Sequence, residues 1–132
     1  MKYLLDTNII AYWLNGNKKI ENKICKIGLD SVCISFITLC ELYFGAFKSS
    51  RLKENIKSIE ILLSKVPIIH SNNETAKNFG EIKSKCVKTG KNVDGADLLL
   101  ASFALEKKLI FVTNNVKHFK EIENLKLENW VE

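Results

Sequence analysis

A short apolar run that ends abruptly on a carboxylate limits the folds open to this chain more than any other feature. In the stretch Met1–Trp13, Tyr3, Leu4 and Leu5 read as a buried strand that stops at Asp6. Thr7 and Asn8 follow, both good helix-capping types. Apolar residues then resume at Ile9, Ile10, Tyr12, Trp13 and Leu14, densely enough for a buried helix. Strand, carboxylate, helix is the order in which open α/β sheets present ligands at the carboxyl ends of their strands. Two readings of Asp6 stand side by side. It caps the helix, a common role for Asp, or it presents a carboxylate, with Thr7 and Asn8 beside it, to a ligand.

The remaining elements alternate in the same way. After a break at Gly16 and Asn17, Lys18–Ile27 carries Ile20, Ile24 and Ile27 at helical spacing, and Gly28 suits its carboxyl end. Ser31–Ser35 reads as a strand. Phe36–Phe47 is so apolar that it reads as a helix buried on most sides. Gly45 within it weakens the helix unless something packs closely there. Arg51–Lys65 is a helix with Leu52, Ile56, Ile59, Leu62 and Leu63 on its apolar side, and Pro67 stops it. Val66–Ile69 is a strand. The next helix starts near Asn73 and Thr75, with Ala76, Phe79, Ile82 and Cys86 expected on its inner face. Gly90–Asp94 is a turn before the apolar helix that begins at Asp97. Leu109–Val112 is a strand ending at Thr113, Asn114 and Asn115, echoing Asp6-Thr7-Asn8. A helical turn, Val116–Lys120, contains His118, and Lys126–Trp130 is a last short strand. There is no repeat, linker or low-complexity tract. Strands alternating with helices predict a parallel sheet covered on both faces.

The 132 residues suit one domain. No apolar run approaches the roughly 18 to 20 residues that span a bilayer. Asp6 and Asn8 interrupt the only apolar stretch near the start, so no signal peptide and a cytoplasmic location are expected. The net charge is +5, and Arg51 is the only basic residue that is not Lys. Such an excess suits a polyanion such as nucleic acid, or equally serves solubility. Lys83, Lys85, Lys88 and Lys91 gather in one segment, as a solvated face or as phosphate contacts. Cys25, Cys33, Cys40 and Cys86 show no CxxC spacing and sit among apolar neighbours, so buried thiols are expected rather than a zinc site.

Chemistry concentrates in a few carboxylates. Glu41 lies in the apolar segment TLCELYFG. Unless it occupies a solvated stripe, it needs a cation, a hydrogen-bond partner or a shifted pKa. Ser35, Thr38 and Glu41 are three apart and can share one helix face. Asp94 reads as a helix N-cap, with Asp97 in the first turn, where an acidic side chain gains from the helix dipole. The apolar run after Asp97 turns it inward. Carboxylates that converge without Arg partners repel one another, which raises a pKa or recruits a divalent cation. Oxygen ligands of this kind suit Mg²⁺ or Mn²⁺, and such a site can cleave phosphodiesters.

The motifs LLDTNIIAY, ISFITLCELYFGA, DLLLASFAL, LIFVTNNVKHF and LKLENW, in this order and spacing, make the chain resemble the PIN domain, and within it the VapC-type toxins of bacterial toxin–antitoxin pairs. The resemblance covers essentially the whole chain, residues 1–132. It implies an α/β/α sandwich with a central parallel sheet. It also implies an endoribonuclease dependent on Mg²⁺ or Mn²⁺, acting on structured RNA such as a tRNA loop. Asp6, Glu41 and Asp97 match the family's acidic positions, which hold the metal. Asn8, Thr113 and Asn115 match polar residues of the same pocket, with Ser35 and Thr38 in support. His118 stands where a fourth Asp or Glu is common, and Asp94 is an extra carboxylate that could compensate. The resemblance further implies a VapB-type antitoxin and a homodimer. Tyr43, Phe44 and Phe47 could serve either contact or belong to the core. A PIN-like module that binds RNA or a partner without cutting is the competing reading, kept open by His118. A phospho-acceptor signalling domain fits poorly, because no carboxylate adjoins Asp6 and no acceptor Asp stands mid-chain.

Overall fold

The computed structural model describes residues 1–132. Its elements in chain order are β1 (Tyr3–Leu5), α1 (Thr7–Leu14), α2 (Lys18–Ile27), a 3-10 turn (Leu29–Ser31), β2 (Val32–Ser35), α3 (Phe36–Lys48), α4 (Leu52–Lys65) and β3 (Ile68–Ile69). Then follow α5 (Asn73–Lys88), α6 (Gly95–Lys107), β4 (Ile110–Val112), α7 (Val116–Phe119) and β5 (Leu127–Glu128). The strands form one sheet in the order β3-β2-β1-β4-β5, and every pairing is parallel. Parallel neighbours require crossover connections, which the helices supply.

The strands are short and buried on both faces, which is why they read as apolar runs rather than as alternating patterns. Leu4, Cys33 and Phe111 point to one side and pack with Ile82, Cys86, Leu98, Ala101 and Phe119 of α5, α6 and α7. Tyr3, Leu5, Val32, Ile34 and Val112 point to the other and meet Ile9, Ile10, Ile20, Ile24, Leu62 and Trp130. The result is the expected α/β/α sandwich. Helix α6 is apolar on nearly all sides because it is buried: Leu98 and Leu100 through Ala104 are all covered.

The direction of the chain places the site. From the central β1 it moves outward through β2 to β3, then crosses to β4 and β5 on the other side. The carboxyl ends of β1, β2 and β4 therefore open onto the crevice where the order reverses, and their next residues are Asp6, Phe36 and Thr113.

Several sequence expectations are corrected. Helix α3 is not buried on most sides: only Thr38 and Ala46 are covered, and Phe44 and Phe47 are 67% and 68% exposed. Apolar composition cannot tell a core helix from one with an uncovered apolar face. A Cβ at Gly45 would meet nothing within 4 Å, so close packing does not explain that glycine. On α5 the inward position is Thr75, and Ala76 is exposed. Thr75 is held there because the helix is capped through Asn72, whose side chain accepts from the Glu74 and Thr75 amides. Leu52 is 39% exposed because it begins α4 before the helix reaches the core. Cys33 and Cys86 are buried thiols, but Cys25 and Cys40 are exposed, each lying on a helix face that nothing covers. Burial pushes the Cys33 thiol up to about 11. Ser31 closes the 3-10 turn rather than opening β2, and the last strand is only Leu127–Glu128.

Candidate active site

Asp6 both caps and faces the crevice. As N-cap of α1, its Oδ1 accepts from the Thr7 amide at 2.8 Å. Its Oδ2 accepts from Thr113 Oγ1 at 2.7 Å and from Asn8 Nδ2 at 3.3 Å. Thr113 Oγ1 in turn accepts from the Asn115 amide at 3.0 Å, and Asn8 Oδ1 accepts from the Asn114 amide at 3.1 Å. The two strand ends that looked alike in sequence, Asp6-Thr7-Asn8 and Thr113-Asn114-Asn115, are thus laced together across the β1–β4 pair. Asn115 contributes its backbone here, and its side chain makes no capping bond to α7.

The second strand-to-helix junction approaches from β2. Ser35 caps α3, its Oγ accepting from the Thr38 amide at 3.1 Å and donating to Thr38 Oγ1 at 3.4 Å. One turn on, Glu41 Oε1 accepts from Thr7 Oγ1 at 3.0 Å, and that hydroxyl also lies 3.5 Å from Thr38 Oγ1. Ser35, Thr38 and Glu41 do share one face. Glu41 itself lies on an exposed part of α3, so of the two readings of this residue the solvated one describes its surface. Thr7 joins the Asp6 and Glu41 groups, a link that goes beyond its expected place as a cap or as a polar neighbour of Asp6. Its signal was present: a hydroxyl directly after Asp6, on the first turn of a helix.

Asp97 comes from the first turn of α6, which Asp94 caps by accepting from the Ala96 amide at 3.1 Å. Asp97 is half-buried, and its Oδ2 lies 3.5 Å from His118 Nδ1 on α7. A protonated imidazole forms an ion pair there.

Asp6 is 6% exposed, and burial raises its pKa against three hydrogen bonds and the His118 charge, which lower it. Glu41 is raised by desolvation first and then by the charges of Asp6 and Asp97, with the Thr7 hydroxyl opposing. Asp97 is raised by desolvation, with Asp94 and Asp6 adding and His118 opposing. Glu41 and Asp97 both feel the Asp6 charge, and no Lys or Arg pairs with any of the three. Oxygen donors of this kind fit a hard divalent cation. The spacing is wider than a closed cage: no group of three or more His, Cys, Asp or Glu side chains stands within common ligating distance.

A carboxyl raised in the fold binds its proton more tightly than in the unfolded chain. Its stabilising share is present below the unfolded value, 3.8 for Asp6 and Asp97 and 4.5 for Glu41, and is lost as pH rises through the folded value. The metal-free protein is therefore expected to lose stability as pH rises from about 4 through the raised values, in urea titrations at several pH values. A divalent cation at neutral pH should restore part of the loss.

An open parallel sheet with carboxylates gathered at its switch point defines an α/β domain whose candidate site lies at the carboxyl ends of the strands. A family model described as the PIN domain matches residues 3–125. Ribonuclease VapC2 of Haemophilus influenzae is 37% identical over 131 residues, covering 99% of each chain. The tRNA(fMet)-specific endonuclease VapC of Shigella flexneri is 30% identical over 130 residues, covering 98% of each. Among solved structures, VapBC2 from Rickettsia felis bound to a DNA fragment from its promoter superposes with a TM-score of 0.91 at 35% identity, over 98% of this chain and 99% of that one. The chain belongs to the PIN-domain family, in its VapC branch.

Proposed function

We propose that this chain is the toxin of a type II toxin–antitoxin pair, an endoribonuclease that cleaves RNA with the help of Mg²⁺ or Mn²⁺. The observation that carries the reading is the buried Asp6 carboxylate, coupled through charge to Glu41 and Asp97 and paired with no cationic side chain except His118 at a distance. Asp6, Glu41 and Asp97 are the metal-holding and catalytic carboxylates. A divalent cation held by them would make an attacking water easier to deprotonate and would offset charge on the departing oxygen.

The chain's own residues do the rest. Thr113 and Asn8 hold one Asp6 oxygen in place while the Thr7 amide holds the other. Thr7 fixes Glu41 to the same junction, and Ser35 and Thr38 brace the start of α3 behind it. The Asn115 amide orients the Thr113 hydroxyl. His118 holds Asp97 and offers a neutral or protonated nitrogen beside it.

The substrate class follows from the relatives: a structured RNA, of which the Shigella flexneri relative's tRNA is the model case. The partner is a VapB-type antitoxin, as in the VapBC complexes among the structural neighbours. The uncovered apolar face of α3, with Phe36, Phe44 and Phe47 exposed, is available for the antitoxin or for a second copy in a homodimer. No helix is long and apolar enough to cross a membrane, and a cytoplasmic site of action suits an RNA target. The whole chain, residues 1–132, works as one PIN domain.

The test is incubation of the isolated protein with total cellular RNA, with Mg²⁺ or with EDTA. Discrete fragments that require the cation are expected. Binding without fragments, in a folded sample, would favour the second reading, an RNA- or partner-binding module. The observation behind that reading is His118, which gives the site an imidazole rather than another carboxylate.

Asp94 is proposed to compensate in part for the charge that His118 does not carry. Its charge reaches Asp97. In Mn²⁺ titrations by calorimetry, Asp94→Asn with His118→Ala should lose more affinity than the two single changes together. Simple additivity would count against compensation. Asn retains the cap on α6, so the fold is expected to survive.

A further inference from the structure

We propose that the cavity between α5, α6 and the turn after α7 receives one base of the bound RNA, beside the cleaved bond. The proposal rests on the reading of the acidic site as an RNA-cleaving one. Two cavities meet on this side of the molecule. One, of about 470 Å³, contains Asp97 and His118 together with Asn92 and Lys117. The other, of about 400 Å³, lies next to it, and both are walled by Lys91 and Glu121. A strand leaving the carboxylates past Lys117 would reach the second cavity by crossing the Lys91–Glu121 pair that the two share.

That cavity is chemically suited to a neutral, flat group. Its apolar lining is Ile82, Cys86, Leu105 and Ile122, three of them nearly inaccessible. Asn78, Thr89 and Asn124 supply polar groups around it. The size lies within the range of pockets that bury small ligands, roughly 300–1,000 Å³. The charges at the rim cancel. Lys85 lies 3.3 Å from Glu81 and 3.6 Å from Glu123, and Lys91 lies 3.4 Å from Glu121. A free anion gains little in such a ring of pairs, whereas a nucleobase brings apolar faces and hydrogen-bonding edges without charge. Single-stranded RNA presents splayed bases of this kind. The phosphates on either side of the base meet Lys117 at the acidic site and Lys88 at the cavity, neither of which forms an ion pair with a carboxylate.

The experiment measures binding of short single-stranded RNAs to the intact protein in EDTA, where cleavage is prevented. One set of RNAs carries a single abasic nucleotide at each successive position. The variants are Thr89→Trp, which fills the cavity mouth from an exposed helix end, and Lys117→Ala. Thermal melts confirm that both are folded. Thr89→Trp is expected to weaken intact RNA about tenfold, within the range for one lost base contact. One abasic position should cause the same loss in the native protein and no further loss in Thr89→Trp. Lys117→Ala should lower the salt slope by about 0.7, the share of one single-strand phosphate. RNA binding that Thr89→Trp leaves unchanged, or abasic losses that add to those of the variant, would overturn the base pocket while leaving the cleavage reading standing. No binding of these single strands by the native protein would also overturn the base pocket, whereas the cleavage reading falls only if total RNA stays intact with Mg²⁺.

Discussion

Asp6→Asn is expected to lower RNA cleavage by about three orders of magnitude or more, without loss of the fold. The amide keeps an oxygen for the Thr7 N–H, so α1 remains capped. Its other end places an N–H₂ against Thr113 Oγ1, now 2.7 Å from the carboxylate, and that hydroxyl can rotate to accept, while the long 3.3 Å bond from Asn8 Nδ2 is lost. What disappears is the negative charge. Burial holds the Asp6 pKa up, so the ionised group opposes folding of the metal-free protein at neutral pH. The variant should therefore melt at the same temperature as the native chain or higher in EDTA, and gain less from added Mn²⁺. Cleavage assays on one defined RNA and melts with and without the cation separate the two effects. Cleavage within about tenfold of native would remove Asp6 from the chemistry.

Phe111→Ala is expected to cost about 3–5 kcal/mol in urea denaturation, the range for removing a fully buried aromatic. That is a large share of the total stability of a typical domain, about 5–15 kcal/mol. Phe111 is inaccessible in β4, beside the central strand, and its ring meets Phe119 edge-on at 4.7 Å between centroids. Phe119 is the buried anchor of α7, the four-residue helix that carries His118. The cavity left by the substitution should loosen α7 before the rest of the molecule. Amide exchange across Val116–Phe119 should then rise more than in α1, and the His118–Asp97 contact should weaken with it. Phe47→Ala is the control, because Phe47 is 68% exposed and its loss should stay within about 0.5 kcal/mol. Equal costs for the two changes would mean that α3 is covered in solution.

The alternation of strands and helices was legible because parallel strands buried on both faces are short unbroken apolar runs, and because caps announce helix starts. Asp6 and Asp94 both cap where they were read as helix starts, whereas the caps at Asn17 and Ser35 came from the structure. The resemblance of the motifs went further and pointed to the family. Exposure was less legible. The same apolar composition describes α6, which is enclosed, and α3, which leaves Phe36, Phe44 and Phe47 bare. A helix's own sequence does not record what lies against it.

The candidate site divides along the same line. That Asp6, Glu41 and Asp97 are carboxylates set against apolar segments could be read from single residues. Their grouping could not. It depends on β1, β2 and β4 lying side by side, so that residues separated by 107 positions, Asp6 and Thr113, share a hydrogen bond. Thr7 as the link to Glu41, His118 as the partner of Asp97, and the two cavities joined at Lys91 exist only once α3, α6 and α7 are docked. Local propensity acts over a few residues. The order of strands in the sheet comes from long-range packing, and that order decides which carboxylates are close enough to repel.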